Sequence, residues 1–167
     1  MSKSANYAGR ILIYSAPAAL QEHITWAIEQ GLGQVIKLSW QNQPLNPSSK
    51  ALELEYKHQM PVAAKLATAL KAWHYIRFEI REINKTTQDA TYYRATPELG
   101  LHQAHLASNG DVVLNENQVN SILKNSLSYE KLQVNLENAL GISWDIELEP
   151  YRIALAGPML DTVSKSG

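Results

Sequence analysis

The sequence predicts an α+β fold, because one order of elements occurs twice in its first half. A strand leads into an amphipathic helix that starts at a proline, and a second strand follows. The first copy covers Arg10–Tyr14, Pro17–Leu32 and Val35–Trp40, and the second covers Leu52–Tyr56, Pro61–Trp73 and Tyr75–Ile80. Two such units give the βαββαβ order of a ferredoxin-like sandwich over residues 10–83. We expect a β-hairpin and C-terminal helices to extend it over about residues 90–160.

The first unit is predicted from an apolar run and from residues that favour helix ends. Residues 11–14 are all apolar, which suits a central strand covered on both faces. Ser15 is expected to cap the helix, with Pro17 in its first turn, and Gly31 and Gly33 to end it. The alternation in Val35–Trp40 predicts the second strand, and the prolines in Gln41–Lys50 predict a loop.

The second unit shows a clear period of two in both strands. Charged residues alternate with apolar ones over residues 52–57 and 76–81, so each strand has one apolar and one polar face. We expect the polar face to be open, either solvated or forming a dimer surface. Its predicted members are Lys37, Ser39, Glu53, Glu55, Arg77, Glu79 and Arg81, with Tyr75 at the border.

Turn and cap residues predict the elements of the second half. Asn109-Gly110 predicts a hairpin that pairs Leu101–Ala107 with Val112–Leu114. Asn115 with Gln118 resembles a capping pair for a short helix. A further helix is expected from Ser128 to Gly141. The segment Trp144–Arg152 is compatible with either a helix or an extended chain.

The bulk properties bound the class of protein. A chain of 167 residues with 45% apolar residues and no long linker predicts a single domain over residues 1–167. No apolar run approaches the roughly 20 residues that cross a bilayer, and the first ten residues lack the apolar core of a secretion signal. We therefore expect a cytoplasmic protein without membrane contact. Cysteine is absent, which excludes disulfides and thiolate chemistry.

Charge argues against nucleic acid as a partner. The formal net charge is −1, so the whole molecule does not attract phosphate. RNA-recognition modules share the βαββαβ order and stack bases on aromatic residues of the central strands. Here Glu53 and Glu55 would occupy that face, with Tyr14 as the one aromatic platform on the first strand.

No motif of catalysis or metal binding is evident. The chain has no G-x-S-x-G elbow and no glycine-rich phosphate loop. His102 and His105 are close in sequence, but on a strand their rings would point to opposite faces. Ser15 at a strand–helix junction could bind an anion, although helix capping is the simpler role. We predict no catalytic residues, no metal and no cofactor.

The densest group of polar and aromatic residues is the segment from Trp144 to Arg152. If it is extended, Asp145, Glu147 and Glu149 share a face and could hold a hard cation. If it is helical, Asp145 and Glu149 could both pair with Arg152, and a solvated acidic face is the simplest alternative. The candidate ligand-binding residues are Trp144, Asp145, Glu149, Tyr151 and Arg152.

Two hypotheses for function follow. The first is a non-enzymatic module that binds a protein partner or a second copy of itself, because no compact catalytic set is evident. The second is a small enzyme or ligand-binding protein with a pocket between the sheet and the C-terminal helices. The aromatic and polar mixture at Trp144–Arg152 favours the second, since ligand sites combine apolar walls with a few polar groups.

Several stretches resemble an uncharacterised family of small actinobacterial proteins, the domain of unknown function 3145. They are Ile13–Leu20, His23–Ala27, Thr96–Gly100, Asn109–Val112 and Trp144–Arg152. The resemblance runs in order from Arg10 to about Arg152. It implies a bacterial cytosolic protein and supplies no activity, ligand or site residue.

Overall fold

The computed structural model of the chain describes residues 4–164, with the side chains of residues 4–157. Within these residues the fold is α+β, with seven strands and five helices. The strands are β1 (Tyr7–Pro17), β2 (Gln41–Gln43), β3 (Asn46–His58), β4 (Arg77–Asn84), β5 (Ala90–Thr96), β6 (Gly100–Leu106) and β7 (Val112–Val113). The helices are α1 (Gln21–Leu32), α2 (Ala63–Leu70), α3 (Glu116–Asn125), α4 (Tyr129–Leu140) and α5 (Ile142–Ser164).

The strands form one antiparallel sheet in the order β2-β3-β1-β4-β5-β6-β7. β1 lies between β3 and β4, so that Ile11 is opposite both Leu54 and Ile80. The register of β1 shifts after Ile13 against both neighbours, which marks a β-bulge around Tyr14. Alternation along β1 places Tyr14 on the same face as Arg10 and Leu12, which is the face described below.

The hydrophobic core lies between one face of the sheet and helices α1 and α2. Ile11 and Ile13 of β1 and Phe78 of β4 are fully buried there, together with Ile28 of α1 and Leu66 of α2. Each such side chain contributes about 1.5–3 kcal/mol by leaving water. The opposite face of the sheet packs against α5, which contacts β1, β2 and β5.

The predicted strand Val35–Trp40 is wrong, and the strand at this place is β2, three residues long. The alternation is still visible in burial, because Ile36, Leu38 and Trp40 pack against the core. The Ile36 N–H donates to the Glu29 carboxylate of α1 (3.2 Å), and the Trp40 indole N–H donates to Thr25 of the same helix (3.2 Å). The period of two therefore indicated correctly which side chains are buried. It did not indicate whether the backbone of these residues pairs with a strand.

The predicted start of the first helix is also wrong. Ser15 and Pro17 belong to β1, where Pro17 is opposite Ser49 of β3. A short 3-10 turn (Ala18–Leu20) precedes α1, and no side chain caps the helix. The predicted loop Gln41–Lys50 is also wrong, since it contains β2 and the first part of β3, which pair with each other in an antiparallel hairpin.

The second helix is shorter than predicted, spanning Ala63–Leu70 instead of Pro61–Trp73. Its start is fixed from outside the helix by Glu82 of β4, which accepts from the backbone N–H groups of Val62 (3.0 Å) and Ala63 (3.1 Å). The Tyr56 hydroxyl also donates to Glu82 (2.7 Å). Burial and this carboxylate raise the pKa of Tyr56. A buried carboxylate at a helix N-terminus replaces the missing cap.

The second half follows the prediction closely at its turns and caps. β6 pairs with β7 across the Asn109-Gly110 turn, with Gly110 at a φ of 89°. Asn115 and Gln118 form a complete capping box at α3. Ser128 caps α4, and Gly141 ends it in the left-handed conformation.

Candidate functional site

The polar face of the sheet is the setting of the candidate site. Along β4, Phe78 and Ile80 point into the core, so Glu79 and Arg81 point to the other face. We predicted this face to be open, and at Glu79 that prediction is wrong. Glu79 is 2% exposed, because α5 covers it.

Helix α5 brings its own polar residues onto this face. Asp145, Leu148 and Arg152 are spaced at i, i+3 and i+7, which places them on one side of a helix. Leu148 is fully buried. The segment Trp144–Arg152 is therefore helical, and the extended alternative with three aligned carboxylates is wrong.

Glu79 is the centre of a buried polar cluster. It accepts hydrogen bonds from the hydroxyls of Tyr14 and Tyr92 and pairs with the guanidinium of Arg152. Arg152 also contacts Asp145 (3.1 Å) within the same helix. These contacts join β1, β4 and β5 to α5 through a single carboxylate.

The charges of this cluster hold its members in fixed protonation states. Burial, followed by the charge of Glu79, raises the pKa of Tyr14, so its hydroxyl stays protonated. Burial acts to lower the pKa of Arg152, but the neighbouring Glu79 outweighs burial and raises it. Both effects keep the Tyr14 hydroxyl and the Arg152 guanidinium as hydrogen-bond donors to Glu79.

A second buried cation, Arg94 of β5, lies beside the first. It is fully buried, pairs with Asp145 (2.7 Å) and donates to the Leu140 carbonyl at the end of α4 (2.9 Å). Its Nη2 also lies 3.3 Å from Nδ1 of His102, whose Nε2 lies 2.9 Å from the Ala139 carbonyl. Since Arg94 can only donate, this arrangement fits neutral His102 with its proton on Nε2.

The five predicted site residues lie on one helix but do not meet at one cavity. Asp145 and Arg152 join the buried cluster, and Glu149 pairs with Arg152 from the solvent side (3.2 Å). Trp144 stacks on His102 (4.8 Å between centroids) and donates to the Gly100 carbonyl (3.0 Å). Tyr151 lies under the guanidinium of Arg77 (4.6 Å).

The sequence did not predict that the sheet residues of the cluster meet. Glu79 was expected on an open face, either solvated or forming a dimer surface, and Tyr92 and Arg94 were not singled out. The one available signal was Arg94 within the apolar and aromatic strand 91–95, since a buried arginine in such a strand needs a partner.

A cleft of about 360 Å³ opens between the sheet and the C-terminal half of α5. Leu12, Leu155 and Ala156 give it apolar walls, and the ring of Tyr14 adds to them. Its charged lining residues are Arg10, Glu53, Glu79, Arg81 and Arg152. Of the predicted residues, only Arg152 lines this cleft.

A wider hollow of about 710 Å³ continues over the end of the sheet and shares Arg10 and Arg81 with the cleft. No residue of α5 lines it, so it is a surface depression of the open sheet and not a helix-covered site. The smaller cleft is the better candidate, because ligand sites enclose most of the ligand's surface.

Among residues 4–164, no group of three or more His, Asp or Glu side chains is arranged to hold a metal ion. Within the same range, none of the helices combines the length and apolar character that crossing a bilayer requires.

Fold and cleft together define an α+β protein with a seven-stranded antiparallel sheet, helices on both faces and a polar cluster beneath the last helix. The chain belongs to the family described as "Protein of unknown function (DUF3145)", whose model matches residues 10–164. This confirms the predicted resemblance to an uncharacterised family. No curated protein and no solved structure matches the chain significantly.

Proposed function

We propose that the protein is a non-enzymatic binding module that holds a small amphipathic molecule in the cleft between the sheet and α5. The observation that carries the proposal is the lining of this cleft, in which apolar walls from Leu12 and Leu155 adjoin the guanidinium groups of Arg10, Arg81 and Arg152. Its volume lies at the lower end of the range of small-molecule sites.

The state of the polar groups beside the cleft supports binding over catalysis. Glu79 is engaged by three donors, and the pKa of Tyr14 is raised by burial and by Glu79, away from the range where a general acid works at neutral pH. His102 has contacts at both ring nitrogens. A side chain whose hydrogen-bonding atoms all have partners is poorly suited to transfer a proton. It can still form a fixed part of a binding site.

A thermal-shift screen of small amphipathic molecules tests the proposal, with Ala156→Trp as the blocking variant. Ala156 is exposed and lines the cleft, so an indole there fills it. At about 100 times Kd, a ligand should raise Tm of the natural sequence by about 5 °C or more. The same ligand should not shift Tm of Ala156→Trp.

The matched control is Ile153→Trp, which adds an indole to the outward face of the same helix, where Ile153 is 63% exposed. This variant should keep the full shift. A screen without stabilising compounds, or hits that survive in Ala156→Trp, would refute the proposal.

Self-association is a second candidate function, favoured by the hairpin of α3 and α4. Neither helix buries a single residue within the chain, although helices of 10 and 12 residues depend on packing for their stability. Leu123, Leu127 and Tyr129 are exposed around the turn between them. The hairpin carries three acidic and two basic residues, so its net charge is small and opposes the meeting of two copies only weakly. The molar mass in solution tests this candidate.

Four finer assignments belong with these proposals. We propose that residues 10–83 form a ferredoxin-like sandwich, supported by the order β2-β3-β1-β4 and by α1 and α2 on one face. A single domain and a cytoplasmic location also stay predictions, as does the actinobacterial origin of the family. For a single domain we expect one cooperative unfolding transition. For a cytoplasmic location we expect recovery of the protein in the cytosolic fraction after cell lysis.

A further inference from the structure

We infer that the ligand of the cleft is a small monocarboxylate with an apolar body, whose carboxylate pairs with Arg81. This inference rests on the proposed function and adds the chemical class of the ligand. Three observations on the charged lining carry it: the number of charges, the position of Arg81 opposite Arg10, and the stacking of Arg81 on Tyr92.

The charges that line the cleft do not balance. Three guanidinium groups face two carboxylates, those of Glu53 and Glu79. Arg10 pairs with Glu53, and Arg152 pairs with Glu79. Among the described residues no carboxylate lies within ion-pair distance of Arg81, so Arg81 is the one guanidinium of this lining without an ion-pair partner.

The second observation is the register of β1 and β4. Arg10 is directly opposite Arg81 across these strands. Like charges at directly opposite positions destabilise a sheet, because the side chains start only about 5 Å apart. Glu53 already pairs with Arg10 and offsets part of this repulsion, and an anion bound at Arg81 would offset the rest.

The third observation is the way in which Arg81 is held. Its guanidinium carbon lies over the ring of Tyr92, 4.4 Å from the ring centroid, and that of Arg94 lies over the same ring at 4.5 Å. This cation–π contact holds Arg81 beside the ring without using its N–H donors. A planar carboxylate matches the edge of a guanidinium with two parallel hydrogen bonds.

The apolar part of the ligand follows from the rest of the cleft. Leu12, Leu155 and Ala156 lie on its walls, under the C-terminal half of α5. An alkyl or aromatic body would therefore extend beneath α5, with its carboxylate at Arg81. One unpaired cation favours a single negative charge over a dianionic phosphate monoester.

Calorimetric titration with butanoate, hexanoate and octanoate tests the inference, with 1-octanol and octylammonium as probes of the same length. Affinity should rise about threefold to fourfold for each added methylene. Octanoate should bind about 10- to 100-fold more tightly than 1-octanol, since hydrogen bonds to charged groups are strong. Octylammonium should bind no better than 1-octanol.

The deciding variant is Arg81→Gln, which should remove the preference for octanoate over 1-octanol. Lys65→Gln makes the same charge change on an exposed residue of α2, on the other side of the sheet, and should keep the preference. Circular dichroism establishes that both variants are folded.

The outcomes separate the inference from the proposed function. The inference is overturned if 1-octanol and octanoate bind equally, or if Arg81→Gln keeps the preference for octanoate. The proposed function still stands in that case if Ala156→Trp blocks the binding. If no compound of the screen or the series binds in a way that Ala156→Trp blocks, both are overturned.

Discussion

At the scale of single residues, the contact between Gly141 and Arg94 is the tightest constraint on the site. Gly141 has a φ of 74°, and a Cβ atom built on it would lie 2.0 Å from Nη2 of Arg94. Arg94 is fully buried and held by Asp145 and the Leu140 carbonyl, so it has no free space to move into. A glycine is therefore needed at position 141 for two reasons. It adopts the left-handed backbone that ends α4, and it leaves room for the buried side chain of Arg94.

We expect Gly141→Ala to lower the free energy of unfolding by about 3 kcal/mol, as the sum of left-handed strain and overpacking. Gly33→Ala is the matched control, because Gly33 also ends a 12-residue helix at positive φ (68°) but has open space around it. That variant should lose about 1–2 kcal/mol. Urea unfolding of both variants measures the difference, and equal losses would contradict the role of Arg94.

A second residue-scale effect is the pH dependence that His102 introduces. Burial lowers the pKa of His102 below its ordinary value of 6.5, and the nearby Arg94 acts in the same direction, against the hydrogen bond to the Ala139 carbonyl. The unfolded chain therefore takes up a proton more readily than the folded protein does. The stabilising contribution is complete above about pH 6.5 and is lost as the pH falls through the lowered folded pKa.

The unfolding free energy should accordingly decrease between pH 7 and pH 5, and His102→Gln should flatten this slope. His105 lies on the same strand with an exposed side chain, so His105→Gln should leave the slope unchanged. Urea midpoints across the pH range measure both. A slope that is identical in the natural sequence and in His102→Gln would refute this assignment.

At the scale of elements, helix α5 packs on the polar face of the sheet and encloses the candidate site there. Its inner side carries Asp145, Leu148 and Arg152, whereas Ile146 and Ile153 on its outer side are exposed. The buried ion pairs are weak evidence for stability on their own, because burying charges costs desolvation energy. Burial of the apolar Leu148 side chain, in contrast, raises the free energy of unfolding.

Leu148→Ala should therefore lower the free energy of unfolding by about 2–5 kcal/mol, because it leaves a cavity between α5 and the sheet. Ile153→Ala removes similar apolar volume from the exposed side of the same helix and should change stability by no more than about 0.5 kcal/mol. Chemical denaturation of the two variants gives the comparison. Similar small losses in both would mean that α5 does not pack on the sheet in solution.

At the scale of the whole molecule, charge and exposed apolar surface bear on association between copies. The formal net charge of −1 provides little electrostatic repulsion between molecules. Leu127 is 96% exposed at the turn between α3 and α4, where neither helix has a buried residue. Covering such an exposed apolar side chain with a second molecule removes its surface from water, which stabilises association.

We expect light scattering to give twice the chain mass of 18.7 kDa for the natural sequence, and the single-chain mass for Leu127→Glu. Leu45→Glu is the control, since Leu45 is also an exposed leucine but lies between β2 and β3. It should leave the molar mass unchanged. A monomer at all protein concentrations would count against self-association through this hairpin.

The sequence by itself determined what depends on neighbouring residues. The Asn109-Gly110 turn, the capping box of Asn115 and Gln118 and the end of α4 at Gly141 were predicted correctly, because turns and caps are formed by residues close in the chain. The apolar faces of β3 and β4 were likewise visible as alternation, and β1 was visible as an apolar run.

Only the tertiary structure decided which groups complete an element or cover a face. Helix α2 starts where Glu82, 20 residues away, supplies its cap, and residues 35–40 stay out of the sheet while the Glu29 carboxylate accepts from Ile36. The charged face of β4 is covered at Glu79 because Arg152, 73 residues later, neutralises its charge. Alternation separates the two sides of a strand, but the element that packs on each side is set by contacts between residues far apart in sequence.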